Sequence, residues 1–134
     1  QLRHVRFFGN LTNMKQHMRK HAAILRPKFE AVWEIFDKKL GGLGVGEWTK
    51  PNGGYFVSFD ALPGCAKKIV AMCGDCGVTL TPAGATYPYG RDPEDKNIRI
   101  APSYPPLDEL KEAAEIFTIC VRIVSIDKIL DKAE

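Results

Sequence analysis

Four cysteines, three histidines and no long apolar run are the first notable features of this 134-residue sequence. Cys65, Cys73, Cys76 and Cys120 are too few and too unevenly spaced for a disulfide framework in a chain of this length, and a reducing, cytoplasmic setting is the expectation. A membrane span takes roughly 20 consecutive apolar residues, and no stretch approaches that. The N-terminus carries neither the apolar core nor the cleavage pattern of a signal peptide. Internal repeats and low-complexity tracts are missing. So is an initiator methionine: the sequence opens with Gln1, and the expectation is a single domain, residues 1–134, cut from a longer protein.

Acidic residues are absent from the first 29 positions, where seven Lys or Arg are joined by His4, His17 and His21. The other twelve of the 19 basic residues share the remaining sequence with all 16 acids, so the net charge of +3 hides a basic opening and an acidic remainder. A basic segment of this kind is a solvated helix face, a contact with another part of the same protein, or a nucleic-acid or protein-binding surface. No Gly-rich phosphate loop or base-stacking motif accompanies it, so a stand-alone binding module for nucleic acid or protein is kept only as the alternative reading.

What is present reads as alternating helices and short strands. Met14, Met18, Ala22, Leu25, Phe29, Val32, Phe36 and Leu40 recur at intervals of three and four, the spacing of one helical stripe. Pro27 lies inside it and predicts a kink or two abutting helices; Gly41, Gly42 and Gly44 end it. Glu47–Lys50 and Tyr55–Phe59, flanking Pro51-Asn52-Gly53-Gly54, read as a hairpin with Asn and Gly in positive φ. Tyr55, Val57 and Phe59 fall on one face of its second strand, and Phe56 and Ser58 on the other. A short helix from Cys65 to Cys76 has Ile69, Met72 and Cys73 inward, and Gly77 closes it. Val78-Thr79-Leu80 reads as a strand. From Thr81 to Lys96, three prolines, two glycines and two tyrosines exclude regular structure, and a loop this long is usually functional. Asn97–Ala101 alternates as a strand. A last helix from Leu107 to Lys132 places Asp108 and Glu109 at the positive end of its dipole. Its inner stripe is Leu110, Ala114, Phe117, Val121 and Val124, and Ile116, Ile119, Cys120, Ile123 and Ile126 add a second apolar side, as if a further domain or subunit covered it. The fold class is therefore α+β: a small, mostly antiparallel sheet with helices packed on one face.

Three groups of residues could carry chemistry. Cys73-Gly-Asp-Cys76 has dithiol spacing, but a redox pair wants its first thiol at a helix N-terminus and zinc wants two more ligands, so structural cysteines are expected and no metal is assigned. His17 and His21 share a helix face without the Glu of a zinc-protease motif and with Arg and Lys beside them, so solvated histidines are expected. Arg99 projects from the strand opposite to Ile98 and Ile100. From its residue type alone it is solvated, structurally paired, or a bidentate carboxylate clamp.

Pro51-Asn52-Gly53-Gly54-Tyr55-Phe56, then Gly77–Tyr87 containing Thr81-Pro82-Ala83-Gly84-Ala85-Thr86, then Asn97-Ile98-Arg99-Ile100-Ala101-Pro102-Ser103 together resemble the C-terminal small domain of class I (fold type I) aminotransferases. The run Thr81–Gly90 is similar to a bacterial, aspartate aminotransferase-like subfamily. The resemblance implies a pyridoxal-phosphate enzyme moving an amino group between an amino acid, aspartate among them, and a 2-oxo acid. It implies that Arg99 binds the substrate α-carboxylate and that Thr81, Pro82, Gly84, Thr86 and Tyr87 belong to a loop near the substrate entrance, in a domain that closes over the ligand. It further implies that the Schiff-base lysine, the pyridine-nitrogen aspartate and the phosphate cup lie in a large domain outside this piece, and that the full-length enzyme is a homodimer. No lysine here matches the family's lysine motif; Ser125-Ile126-Asp127-Lys128 reads as an amphipathic coincidence. The isolated piece is then expected to bind no cofactor, to hold no catalytic residue and to be inactive alone.

Overall fold

The computed structural model describes residues 1–131. Helix α1 (Leu2–Phe8) and helix α2 (Leu11–Leu40) open the chain, followed by strand β1 (Gly46–Trp48), strand β2 (Val57–Ala61), helix α3 (Ala66–Asp75), strand β3 (Asn97–Ile100) and helix α4 (Leu107–Leu130). The sheet has the order β1-β2-β3 and is antiparallel throughout. Trp48 pairs with Phe59, and Val57, Ser58, Phe59 and Asp60 face Ile100, Arg99, Ile98 and Asn97 in turn. The period-two pattern thus puts Val57, Phe59, Ala61, Ile98 and Ile100 into the core, and Ser58, Asp60, Asn97 and Arg99 on the opposite face.

The helices cover the apolar face. Phe36 from α2 is 1% exposed, and its ring meets those of Trp48, Phe59 and Phe117 at centroid distances of 5.7, 5.7 and 5.2 Å, so one aromatic cluster ties α2, β1, β2 and α4 together. Leu110, Ala114, Phe117, Val121 and Val124 of α4 are all buried, as the helical spacing predicts. Ile69 and Cys73 hold α3 to the same core. The Lys28 ammonium donates to the carbonyls of Ser103 and Pro105 at 2.8 and 2.7 Å, fastening the β3–α4 connection to α2.

Several local expectations are revised. Pro27 neither ends nor divides α2; it lies on an exposed turn, where the carbonyl left without a donor is open to water. The apolar stripe of α2 is buried only from Phe29 onward, and Met14 and Met18 stand in solvent because the first half of the helix runs beyond the core. The connection between β1 and β2 is wider than a tight hairpin, with Tyr55 and Phe56 outside the strand; Gly54 has φ +96° but Asn52 is not left-handed. Gly42 and Gly44, not Gly41, take positive φ after α2. Val78–Leu80 forms no strand: Val78 is drawn back by a bond from its amide to the Cys73 carbonyl, 2.8 Å. Helix α4 is described to Leu130, and Lys132, where its end was expected, lies outside the described residues.

Candidate functional site

Arg99 sits mid-strand in β3, opposite Ser58 and on the sheet face turned away from the core. It is half-buried, and its guanidinium carbon lies 4.6 Å from the centroid of the Phe56 ring. Its Nε is buried and has no hydrogen-bond partner. The ion pairs among the described residues are Lys50 with Asp37 and Lys96 with Glu94, so among those residues no carboxylate pairs with Arg99. The nearest acid along its sheet face, Asp60, accepts instead from the Asn97 amide, Nδ2 to Oδ1 2.6 Å.

The loop expected near the entrance is ordered against β3. The Gly84 amide donates to the Asn97 carbonyl at 3.1 Å, closing the otherwise free edge of β3, and the Thr86 hydroxyl reaches the Asn97 side-chain oxygen at 2.5 Å. Asn97 is buried and also donates from Nδ2 to Ser58 Oγ, 2.9 Å. Tight turns bring the Ala85 amide to the Pro82 carbonyl and the Tyr87 amide to that of Gly84. Gly84 is required by its conformation: φ is +77°, and a Cβ there would stand 2.9 Å from the Gly90 carbonyl oxygen. At the other end of the loop, Asp92 accepts backbone N–H bonds from Glu94, Lys96 and Asn97. Partial burial works to raise its pKa, but the amides of Asn97, Lys96 and Glu94 outweigh it and hold the carboxyl below its ordinary 3.8.

A cavity of about 490 Å³ between β3, residues 76–81 and α4 counts Arg99 and Thr81 in its lining together with the core residues Val32, Phe36, Leu110 and Phe117, so it lies on the helix side of the sheet, opposite to the face that carries the Arg99 side chain. Pro82, Gly84, Thr86 and Tyr87 stand beside the strand rather than in that lining. A second cavity, about 600 Å³, lies between the first half of α2 and residues 51–55, with His17, Arg19, His21, Arg26 and Trp33 on its wall. His17 is not simply solvated: its ring stands against those of Phe7, Phe8 and His21, which fastens α1 to α2. Burial, followed by the neighbouring Cys120, pushes the Cys73 thiol far up, and burial likewise raises Cys120, the reverse of what a reactive thiolate needs. Among the described residues no three His, Cys, Asp or Glu side chains gather as a metal site, and no helix is long and apolar enough to cross a membrane.

Sequence reasoning placed Arg99 and Phe56 on suitable faces but assigned no part to Phe56, Asn97, Ser58 or Asp60. The signal was the strand register, which sets Ser58 beside Arg99 and Asp60 beside Asn97.

The order of these parts, with the Gly-Gly-aromatic connection, the Pro-Ala-Gly loop and the Asn-x-Arg strand meeting on one sheet face, has a counterpart in known proteins. The aspartate amino-transferase family matches residues 1–133. The chain belongs to that family. An aspartate aminotransferase from Corynebacterium glutamicum is 46% identical over 127 residues, which are 95% of this chain and 29% of that relative. The crystal structure of an aspartate transaminase from the same species superposes with a TM-score of 0.90 at 45% identity, covering 93% of this chain and 30% of that one. The α-aminoadipate aminotransferase of Thermus thermophilus, solved with N-(5'-phosphopyridoxyl)-L-leucine, shares the fold at a TM-score of 0.71 and 15% identity, over 83% of this chain and 28% of its own. This aspartate amino-transferase family chain thus spans under a third of the length of the relatives it matches.

Proposed function

We infer that this chain is the substrate-carboxylate-binding small domain of an aminotransferase that moves an amino group between an amino acid, aspartate among them, and a 2-oxo acid in the cytoplasm. The observation that carries the reading is Arg99: a half-buried guanidinium on the sheet face turned away from the core, in no ion pair among the described residues and with an unpaired buried Nε. Its planar fork matches a carboxylate with two parallel N–H···O bonds. Holding the α-carboxylate fixes how the substrate's Cα substituents are oriented, which is a positioning contribution rather than a chemical one.

Pyridoxal phosphate, when bound, supplies the electron sink for amino-group transfer. The residues here do not fit that group: the cavity between β3 and α4 is lined by no lysine, whose amine would hold the cofactor covalently. The cofactor and its lysine are therefore assigned to the part of the enzyme outside this chain, and the piece alone is read as inactive. This chain's own residues bind and orient. Arg99 takes the carboxylate, the loop from Thr81 to Gly90, fastened to Asn97, lies near the substrate entrance, and the domain closes over the ligand and excludes water. The large domain and a second subunit are the partners proposed for two apolar surfaces left open here, Ile119, Ile123, Ile126 and Leu130 along α4 and Leu2, Phe7 and Leu11 at the N-terminus.

In the intact enzyme, Arg99→Ala is expected to weaken amino-acid and 2-oxo-acid binding by about 30-fold or more, the loss typical of removing one partner of a buried charge pair, while the cofactor stays bound. Unchanged Michaelis constants for both substrates would exclude the role given to Arg99.

A further inference from the structure

We propose that Phe56 is a positioning residue that presents the Arg99 guanidinium edge-on to the substrate carboxylate. The inference rests on the function proposed above and adds to it what holds the arginine. The arrangement follows from the sheet register. Ser58 faces Arg99 across the β2–β3 pair, and Phe56, just before β2, continues the alternation far enough for its ring to meet Arg99 on the same face. Its ring lies 4.6 Å from the Arg99 guanidinium carbon.

An arginine in a binding site is commonly steadied by an acid, but an acid takes up the N–H donors and offsets the charge that a substrate carboxylate needs. Here Asp60 is engaged by Asn97, Glu47 stands exposed beyond Asp60 on β1, and the acids in ion pairs serve Lys50 and Lys96. An aromatic ring attracts the cation through its π-face and uses none of its five N–H groups. Phe56 therefore limits the rotamers of Arg99 while leaving its charge and donor edge available. It also does little for the core, being 45% exposed, so its substitution tests position more than folding.

The test uses the intact enzyme with L-aspartate and a 2-oxo acid, and compares Phe56→Leu, Phe56→Tyr and Arg99→Ala, together with the Phe56→Leu/Arg99→Ala double variant. Phe56→Leu is expected to raise the KM for both substrates about 2- to 30-fold, the range of a cation–π contact between exposed and desolvated settings, with kcat changed less. Phe56→Tyr, which keeps the ring, restores the wild-type KM. In the Arg99→Ala background Phe56→Leu has no further effect, because the residue acts through the arginine. If Arg99→Ala raises KM but Phe56→Leu leaves it unchanged, or if Phe56→Leu is equally harmful without Arg99, or if Tyr fails to rescue, the positioning role is overturned and the carboxylate role stands. If Arg99→Ala itself leaves KM unchanged, both fall.

Discussion

Replacing Gly84 by alanine separates two costs that the loop is built around. Gly84 has φ +77°, and a Cβ would approach the Gly90 carbonyl oxygen to 2.9 Å, the Asp92 amide nitrogen to 3.2 Å and the Asp92 Cβ to 3.3 Å. Gly42 supplies the control, since its φ of +75° is nearly identical but a Cβ there meets nothing within 4 Å. Left-handed backbone costs an alanine about 1–2 kcal/mol, partly offset by about 0.4–1 kcal/mol from the reduced freedom of the unfolded chain. Gly42→Ala should therefore destabilise by about 1 kcal/mol or less. Gly84→Ala carries the same conformational cost plus that of forcing a methyl against backbone, about 1–3 kcal/mol for overpacking of this kind, so its total should be about 1–4 kcal/mol and exceed that of Gly42→Ala. The assay is urea unfolding of both variants and wild type at pH 7, with the difference in midpoint converted through a shared m-value. The displaced backbone is Asp92's, whose carboxylate receives the amides that start β3, so amide exchange at Asn97 should quicken in Gly84→Ala alone. Equal losses for the two variants would refute the argument that close approach, rather than φ, is what fixes glycine at 84.

Two further outcomes are expected. Asn97→Ala removes donors to Ser58 and Asp60 and the acceptor of Thr86; with Asp60 left unpaired, the loss in urea unfolding should be about 2–4 kcal/mol, against about 1 kcal/mol for Thr86→Ala. Asp92 has its pKa depressed in the fold, so its contribution is fully present above the unfolded value near 3.9 and is lost as pH falls through the folded one; Asp92→Asn should be less stable than wild type at pH 5–7 and converge with it at lower pH, and a gap independent of pH would contradict the assignment.

Much of this architecture was legible because periodicity reports burial directly. The α4 stripe from Leu110 to Val124 and the alternation of Ile98, Arg99 and Ile100 both landed as spaced. Pattern reading failed where a partner outside the window decides the outcome. Met14 and Met18 continue the α2 stripe but find no sheet beneath them, and Val78–Leu80 has strand-like residues but is held back by its bond to α3. At the site, Arg99 was identifiable as an outward-facing strand arginine, whereas the parts of Phe56 and Asn97 depend on register and on the path of a long loop, neither of which local composition encodes.

The central claim concerns one contact, between the Arg99 guanidinium and a substrate carboxylate. A crystal structure of the intact enzyme with a bound 2-oxo acid tests it directly. The account predicts both carboxylate oxygens about 2.7–2.9 Å from two nitrogens of Arg99, with the Phe56 ring still stacked on the guanidinium. A carboxylate held by other residues, with Arg99 turned to solvent, would contradict it.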